Sequence, residues 1–201
     1  CVVYLLHLIP RLNASPAFTD SMHDKIAAAV AVPWAPLGSV ATGFASGSLD
    51  WRNDNESIKF LWNLMKPFTE SSGIQPVDAI YAGFENAKMI MYSRESPPIN
   101  NMDLTLYVAS ESNSTCPSTD SPCLKSWPGA TDPRDGSPIG SYRASASYDC
   151  RGRPWYTRSK GMPITGFGTQ SGATWSEIYT FLQGGYSKVG ITAARQVLSA
   201  D

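Results

Sequence analysis

The chain has 201 residues, of which 42% are hydrophobic, 11% are aromatic and 16% are charged. A chain of this length can form one domain with a sizeable core. The aromatic content combined with so little charge excludes a chain that is disordered throughout. The formal net charge is −1 and no cluster of lysines or arginines stands out, so nucleic acid is not expected as a partner.

The first apolar segment, Val2–Ile9, is interrupted by one histidine, His7. It is too short to cross a membrane as a helix, which takes about 20 apolar residues. We expect it to form the apolar face of a first helix or strand. The alternative is the outer end of a membrane span that begins before this sequence.

Three N-glycosylation sequons begin at Asn13, Asn55 and Asn113. Such triplets often arise by chance, so the third one, which lies in a polar loop segment, is the strongest candidate. Together with the cysteines described next, the sequons favour a glycoprotein on the extracellular or periplasmic side of a membrane, or a secreted one.

The four cysteines indicate at least one disulfide. Cys116 and Cys123 flank a stretch of Pro, Ser, Thr and Asp that is too turn-rich for a helix. This pattern predicts a disulfide that closes a small surface loop. A zinc site is the alternative, although both histidines of the chain lie far from this pair in sequence. Cys1 and Cys150 either form a second bridge or stay free.

The first part of the chain predicts helices. Residues 20–32 begin with capping residues and end at Pro33. Residues 33–51 contain several glycines and prolines, so we expect them to be irregular. Residues 53–68 form the clearest amphipathic helix, with Asp54 as its N-terminal cap. Its apolar stripe consists of Ile58, Leu61, Trp62 and Met65.

The later part of the chain predicts antiparallel strands. The strand-like runs are residues 77–84, 89–92, 104–108, 175–181 and 188–198. Residues 110–141 are rich in Ser, Pro, Asp and Gly, which indicates a surface insertion rather than a core element. Helices followed by antiparallel strands indicate an α+β domain. Residues 1–75 are then the N-terminal helical segment, and residues 76–201 are the sheet with its insertion.

Polar and aromatic chemistry is densest in the segment Tyr-Asp-Cys-Arg-Gly-Arg-Pro-Trp-Tyr, which ends at Tyr156. An arginine binds a carboxylate through a planar fork of donors, and tryptophan and tyrosine add polar handles and ring faces. A pocket of this composition suits a small zwitterion, with Arg153 and Trp155 at its acid end. Tyr156 and Tyr148 would then face its amine end. The alternative is that Arg153 stacks on Trp155 or pairs with Asp149, while the aromatic side chains fill the core.

The spacing Tyr148-x4-Arg153-x-Trp155-Tyr156 resembles the signature of double Cache domains, the PAS-like extracellular sensors of chemoreceptors, histidine kinases and cyclases. The resemblance covers about residues 50–201 and corresponds to the membrane-distal module. It implies a Cache fold, with N-terminal helices packed on a PAS-like antiparallel sheet. In that sheet the last strand lies between the first and the fourth strands. The resemblance therefore implies that the final strand is missing here or is supplied from outside this chain.

In double Cache domains the arginine and tryptophan of the motif hold a ligand carboxylate, and the tyrosines help to hold the amine. By resemblance these roles fall on Arg153, Trp155, Tyr156 and Tyr148, and Tyr179 is the candidate that completes the pocket. The implied function is sensing of an amino acid or a related small carboxylate or amine by a membrane receptor, which passes the signal to a separate output domain. The alternative is a Cache-like structural or interaction module, in an extracellular or channel-associated assembly, whose pocket is vestigial.

The sequence contains no motif typical of a catalytic site. It has no His-Glu-x-x-His, no Gly-x-Ser-x-Gly and no phosphate-binding loop. We therefore expect no enzymatic activity, cofactor or metal in this chain. The expected partners are a small molecule, the rest of the receptor or assembly, and a strand donated by another segment or subunit.

Overall fold

A computed structural model describes residues 2–8, 34–68, 77–99, 102–110, 123–128, 131–162, 173–183 and 186–197. The described α-helices are α1 (Trp34–Ala45), α2 (Asp54–Met65) and α3 (Pro154–Lys160), and short 3-10 helices span Lys66–Phe68 and Cys150–Gly152. The first described strands are β1 (Val2–Leu8), β2 (Val77–Phe84), β3 (Met89–Ile99), β4 (Met102–Ser110) and β5 (Cys123–Pro128). The remaining ones are β6 (Arg143–Ser147), β7 (Ala173–Trp175), β8 (Tyr179–Gln183) and β9 (Tyr186–Val197).

The described strands form one sheet in the order β6-β5-β4-β3-β2-β1-β9-β7, and β8 pairs with the first half of β9. Neighbouring strands are antiparallel throughout. The mixed α+β class with an antiparallel sheet is therefore confirmed. None of the described helices is long and apolar enough to cross a membrane.

Strand β1 occupies the centre of this sheet. It pairs with β2 on one side and with β9 on the other, so that Leu5 lies opposite both Tyr81 and Ala194. The resemblance implied that the final strand of the sheet is missing or comes from outside the chain; the position beside β2 is instead filled by β1 of this chain. A short, almost continuously apolar run suits a strand that has a neighbour on each side, because its backbone donors and acceptors are then paired. Part of the segment expected to be helical, residues 1–75, is thus a strand.

Helix α1 contradicts the prediction that residues 33–51 are irregular. Its buried face consists of Leu37, Val40, Ala41 and Phe44, which recur at helical spacing. Pro36 lies in the first turn, where a helix has no hydrogen bond for its missing N–H to break. Gly43 packs closely on Leu49, since a Cβ atom there would lie 2.5 Å from Cδ1 of Leu49 and would displace that side chain. The proline and this glycine are therefore compatible with the helix and do not end it.

Helix α2 is confirmed, including its buried stripe of Ile58, Leu61, Trp62 and Met65. Its N-terminal cap is Asn53, not Asp54, since the Asn53 side chain accepts the backbone N–H of Glu56. Asp54 is instead the first helical residue, where its negative charge suits the helix dipole. The helix predicted at residues 20–32 lies outside the described residues.

The segment at residues 110–141 is not only a surface insertion. Residues 123–128 form β5, which pairs with β4, and Cys123 and Ser126 are buried. This part of the prediction is wrong, because a short run of Leu, Lys, Ser and Trp between turn residues is enough to extend a sheet. Cys123 is disulfide-bonded, while its predicted partner Cys116 lies outside the described residues. Cys150 is free and buried, so it forms no bridge with Cys1.

The strand predicted at 77–84 is present with these bounds, and those predicted at 89–92, 104–108 and 188–198 are present with shifted or extended ends. The strand predicted at 175–181 is divided into β7 and β8 by residues 176–178. The two faces of the sheet carry separate clusters of buried side chains. One cluster includes residues of α1 and α2, and the other includes Trp155 and Tyr156 of α3. The predicted ligand-binding residues belong to the α3 side.

Candidate functional site

Local capping fixes the backbone that carries the motif. The Asp149 side chain accepts the backbone N–H of Arg151 and begins the short 3-10 helix. Arg153 follows as the N-cap residue of α3, with Pro154 at the first helical position. The Arg153 side chain makes no capping hydrogen bond. The backbone is therefore held in place without using the guanidinium.

The guanidinium of Arg153 is exposed and stacks on a tyrosine. Its Cζ atom lies 4.4 Å from the centroid of the Tyr148 ring, which is a cation–π contact. The Arg153 side chain forms no ion pair or hydrogen bond within the part of the chain that the structure describes. The nearby carboxylate of Asp149 is occupied by Arg151, whose Nη2 lies 2.7 Å from Oδ2. The donors of Arg153 thus remain available for an anion.

Tyr148 lies half-buried beneath this cation. Burial raises the pKa of its hydroxyl to about 12, and the positive charge of Arg153 and a hydrogen bond from the Trp155 indole partly oppose that rise. The phenol is therefore neutral at physiological pH. A neutral phenol can both donate and accept a hydrogen bond.

Trp155 is a core residue, with 1% of its surface exposed. Its ring meets Tyr81 edge to face, with centroids 5.1 Å apart and an interplanar angle of 74°. It also contacts Tyr156 edge to face at 5.5 Å. The indole packs directly against the backbone of Gly83. Its described contacts thus hold α3 against the sheet.

Tyr156 is also buried, and its ring contacts that of Trp155. Its hydroxyl forms no hydrogen bond of normal geometry among the described residues. Burial and the neighbouring carboxylate of Glu85 raise its pKa above the ordinary value. The structure therefore separates this hydroxyl from the exposed guanidinium of Arg153.

Tyr179 belongs to a group of three hydroxyls. Its hydroxyl oxygen lies 2.9 Å from Oγ1 of Thr192 and 3.3 Å from the hydroxyl oxygen of Tyr81, and the last two groups are 3.2 Å apart. Burial and the neighbouring Tyr179 raise the pKa of Tyr81 well above its ordinary value. Sequence reasoning missed Tyr81 and Thr192. No local signal marks Thr192, because its strand also contains Tyr, Ser, Lys, Arg and Gln.

The predicted residues are brought together only in part. Tyr148, Trp155, Tyr156 and Tyr179 belong to or pack against one cluster on the α3 side of the sheet. Arg153 lies outside this cluster and touches it through Tyr148. The arrangement offers a free guanidinium at the surface, above a layer of tyrosine hydroxyls. It can bind an anionic group, and it has no described nucleophile and base in contact for covalent chemistry.

A groove of about 420 Å³ lies on the outer side of α3. Its lining consists of Gly152, Pro154, Thr157, Arg158 and Glu177. None of the predicted ligand-binding residues lines it. This groove is therefore separate from the stack of Arg153 on Tyr148.

Metal ligands are not clustered in the described ranges: no group of three or more His, Cys, Asp or Glu side chains there could hold a metal ion. Comparison of the chain with protein-family models, with curated proteins and with solved structures found no match in any of the three. The geometry of the site and the resemblance of its motif are therefore the observations that bear on function.

Proposed function

We propose that this chain is the ligand-binding module of an extracellular sensor, similar to the membrane-distal module of double Cache domains. Its ligand is an amino acid or a related small carboxylate or amine. Arg153 receives the carboxylate, and the hydroxyls of Tyr148 and Tyr179 interact with the rest of the ligand. The module has no catalytic activity itself, and it passes its occupancy to an output domain elsewhere in the receptor.

The observation that carries this proposal is the unused guanidinium of Arg153. Six other described lysines and arginines lie in ion pairs with acidic side chains. Arg153 instead stacks on Tyr148 while Arg151 takes the adjacent Asp149. An arginine held by an aromatic ring keeps its donor fork oriented and free, which suits bidentate binding of a carboxylate.

The order of the strands also supports the proposal. In the PAS-like sheet that the resemblance implies, the last strand lies between the first strand and the fourth. In this chain a strand also lies between two such neighbours, β2 and β9, although it is the N-terminal strand β1 and not the last one. A disulfide at Cys123 is in keeping with an oxidising, extracytoplasmic location.

The proposal assigns Trp155 and Tyr156 a supporting role instead of ligand contact. Trp155 is buried against the sheet, and Tyr148 packs against the cluster of buried side chains that contains it. It therefore sets the position of the ring on which Arg153 rests. Tyr156 packs on Trp155 and helps to hold the indole in place.

Calorimetric titration of the chain with a panel of amino acids, amines and small carboxylates tests the proposal. We expect at least one carboxylate-bearing compound to bind, and Arg153→Ala to weaken that binding about tenfold or more, because a charged hydrogen bond is lost. Arg52→Ala is the matched control, since Arg52 is also exposed and stacked on an aromatic ring, Trp51. Equal binding by both variants would contradict the role of Arg153.

The second candidate function is a structural or interaction module in an extracellular or channel-associated assembly. The observation that favours it is the packing of Trp155 and Tyr156, which fill the core as ordinary apolar residues would. It predicts that no compound of the panel binds. It also predicts that Arg153→Ala changes neither stability nor ligand binding.

A further inference from the structure

The groove on the outer side of α3 carries two opposite charges. Arg158 lies on the α3 wall, and Glu177 lies in the segment between β7 and β8. Both residues are exposed. The groove therefore has a cationic wall and an anionic wall, supplied by two separate parts of the chain.

These two charges are not paired with each other. Neither side chain forms an ion pair or a hydrogen bond with any residue that the structure describes. Most acids in those ranges do have a basic partner, including Asp149 with Arg151 and Glu85 with Lys160. Both charges are therefore available to a molecule in the groove.

The groove is distinct from the site at Arg153. Arg158 lies five positions after Arg153, which turns their side chains about 140° apart around a helix. Arg153 contacts Tyr148, whereas Arg158 lines the groove. Glu177 is followed by Ile178, which is 74% exposed and provides an apolar surface beside the anionic wall.

We propose that this groove is a second binding site, for a small dipolar molecule that carries one anionic and one cationic group. The anionic group pairs with the guanidinium of Arg158, and the cationic group pairs with the carboxylate of Glu177. The volume of about 420 Å³ lies within the usual range for small-molecule sites. The hydroxyl of Thr157 donates to the backbone carbonyls of Arg153 and Pro154. Because this hydroxyl already donates to the backbone, recognition of the ligand depends on the side chains of Arg158 and Glu177.

Isothermal titration calorimetry with free amino acids and dipeptides tests this site, and singly charged acetate and methylamine serve as comparison probes. We expect a dipolar probe to bind more tightly than either singly charged probe. Glu177→Gln and Arg158→Gln should each weaken this binding by about tenfold or more, because each removes a charged hydrogen bond. Arg52→Gln is the matched control and should leave it unchanged, since Arg52 lies outside the groove.

The outcomes separate this site from the one at Arg153. Binding that is lost in Glu177→Gln and Arg158→Gln but kept in Arg153→Ala supports the site in the groove. This result holds whether or not a ligand also binds at Arg153. Binding that is lost only in Arg153→Ala overturns the groove proposal and supports the first. Absence of binding by every dipolar probe overturns it as well. Thermal unfolding of each variant shows whether the fold is intact, and we expect no change because both side chains are exposed and unpaired.

Discussion

The indole of Trp155 packs so closely on Gly83 that a Cβ atom at position 83 would lie 2.7 Å from Cη2 of the ring. The same Cβ atom would lie 3.1 Å from the sulfur of Cys150. A glycine in β2 thus allows α3 and the preceding 3-10 helix to pack directly on the sheet. The position of the whole motif depends on this contact.

Gly83→Ala should therefore destabilise the fold. Overpacking a well-filled core costs about 1–3 kcal/mol, and the atoms in conflict belong to a rigid ring. Urea denaturation followed by tryptophan fluorescence measures the change in the free energy of unfolding. Gly38→Ala is the control, because it lies in α1 with nothing within 4 Å of the added atom. That control should be neutral or stabilising by about 0.5–1 kcal/mol; a Gly83→Ala variant as stable as the wild type would contradict the packing described.

The thiol of Cys150 should be unreactive in the native protein. Burial raises its pKa to about 12, so that at pH 8 only about one molecule in ten thousand carries a thiolate. Peptide mass spectrometry after iodoacetamide treatment measures labelling at this residue alone. We expect slow labelling in buffer and rapid labelling in denaturant, with Gly83→Ala in between. Rapid labelling of the native wild type would show that this thiol is not buried.

The ion pair of Lys88 with Asp54 ties the β2–β3 turn to the start of α2. Lys88 is 8% exposed and also donates to the Trp51 carbonyl at 2.7 Å, whereas Asp54 is half-exposed. Asp54→Asn leaves a buried ammonium without its counter-ion and should cost about 2 kcal/mol or more. Lys88→Met leaves a hydrated carboxylate and should cost about 1 kcal/mol.

Denaturation of Asp54→Asn and Lys88→Met measures the free energy of unfolding that each variant loses. Glu56→Gln controls for the loss of a negative charge in the first turn of α2, because Glu56 lies in that turn. Greater destabilisation by Lys88→Met than by Asp54→Asn would contradict the assignment of Lys88 as the buried partner.

The pH dependence of stability should include a contribution from Asp132. Hydrogen bonds from Arg134 lower the pKa of this carboxyl to about 2, below its ordinary value of roughly 3.9. A group whose pKa is lower in the folded state stabilises the fold above its unfolded pKa, and this contribution is lost as the pH falls from about 4 to 2. Thermal unfolding across this range should therefore show a shallower acid slope in Asp132→Asn. Arg134→Gln should produce the same change, and an unchanged slope in both variants would contradict the pairing.

Sequence periodicity was sufficient for the elements whose burial follows one regular pattern. The stripe of α2 and the runs that form β2 and β4 have a local signal, so they could be predicted. Helix α1 was missed because its glycines and proline were treated as breakers. Pro36 lies in the first turn and Gly43 packs on Leu49, so neither residue ends the helix, and residue type alone does not reveal this.

The central position of β1 could not be predicted from local patterns either, because it depends on pairings between residues about 75 and 190 positions apart.

The candidate site could likewise be predicted only in part from local patterns. The motif predicted which aromatic residues would lie near one another, and three of them cluster with Tyr81. It did not predict that Trp155 would be buried while Arg153 is exposed, since side-chain direction at a helix start is set by tertiary packing. Thr192 could be found only through its contact with Tyr179.

The central claim is that the guanidinium of Arg153 receives the carboxylate of a ligand. The most direct measurement is the NMR signal of arginine Nε–H groups, recorded while the chain is titrated with the carboxylate compounds of the panel and assigned through Arg153→Lys. We expect the Arg153 signal to shift in a saturable manner, while that of Arg52 stays in place. A ligand that binds without moving the Arg153 signal, or a panel in which nothing binds, would contradict the claim.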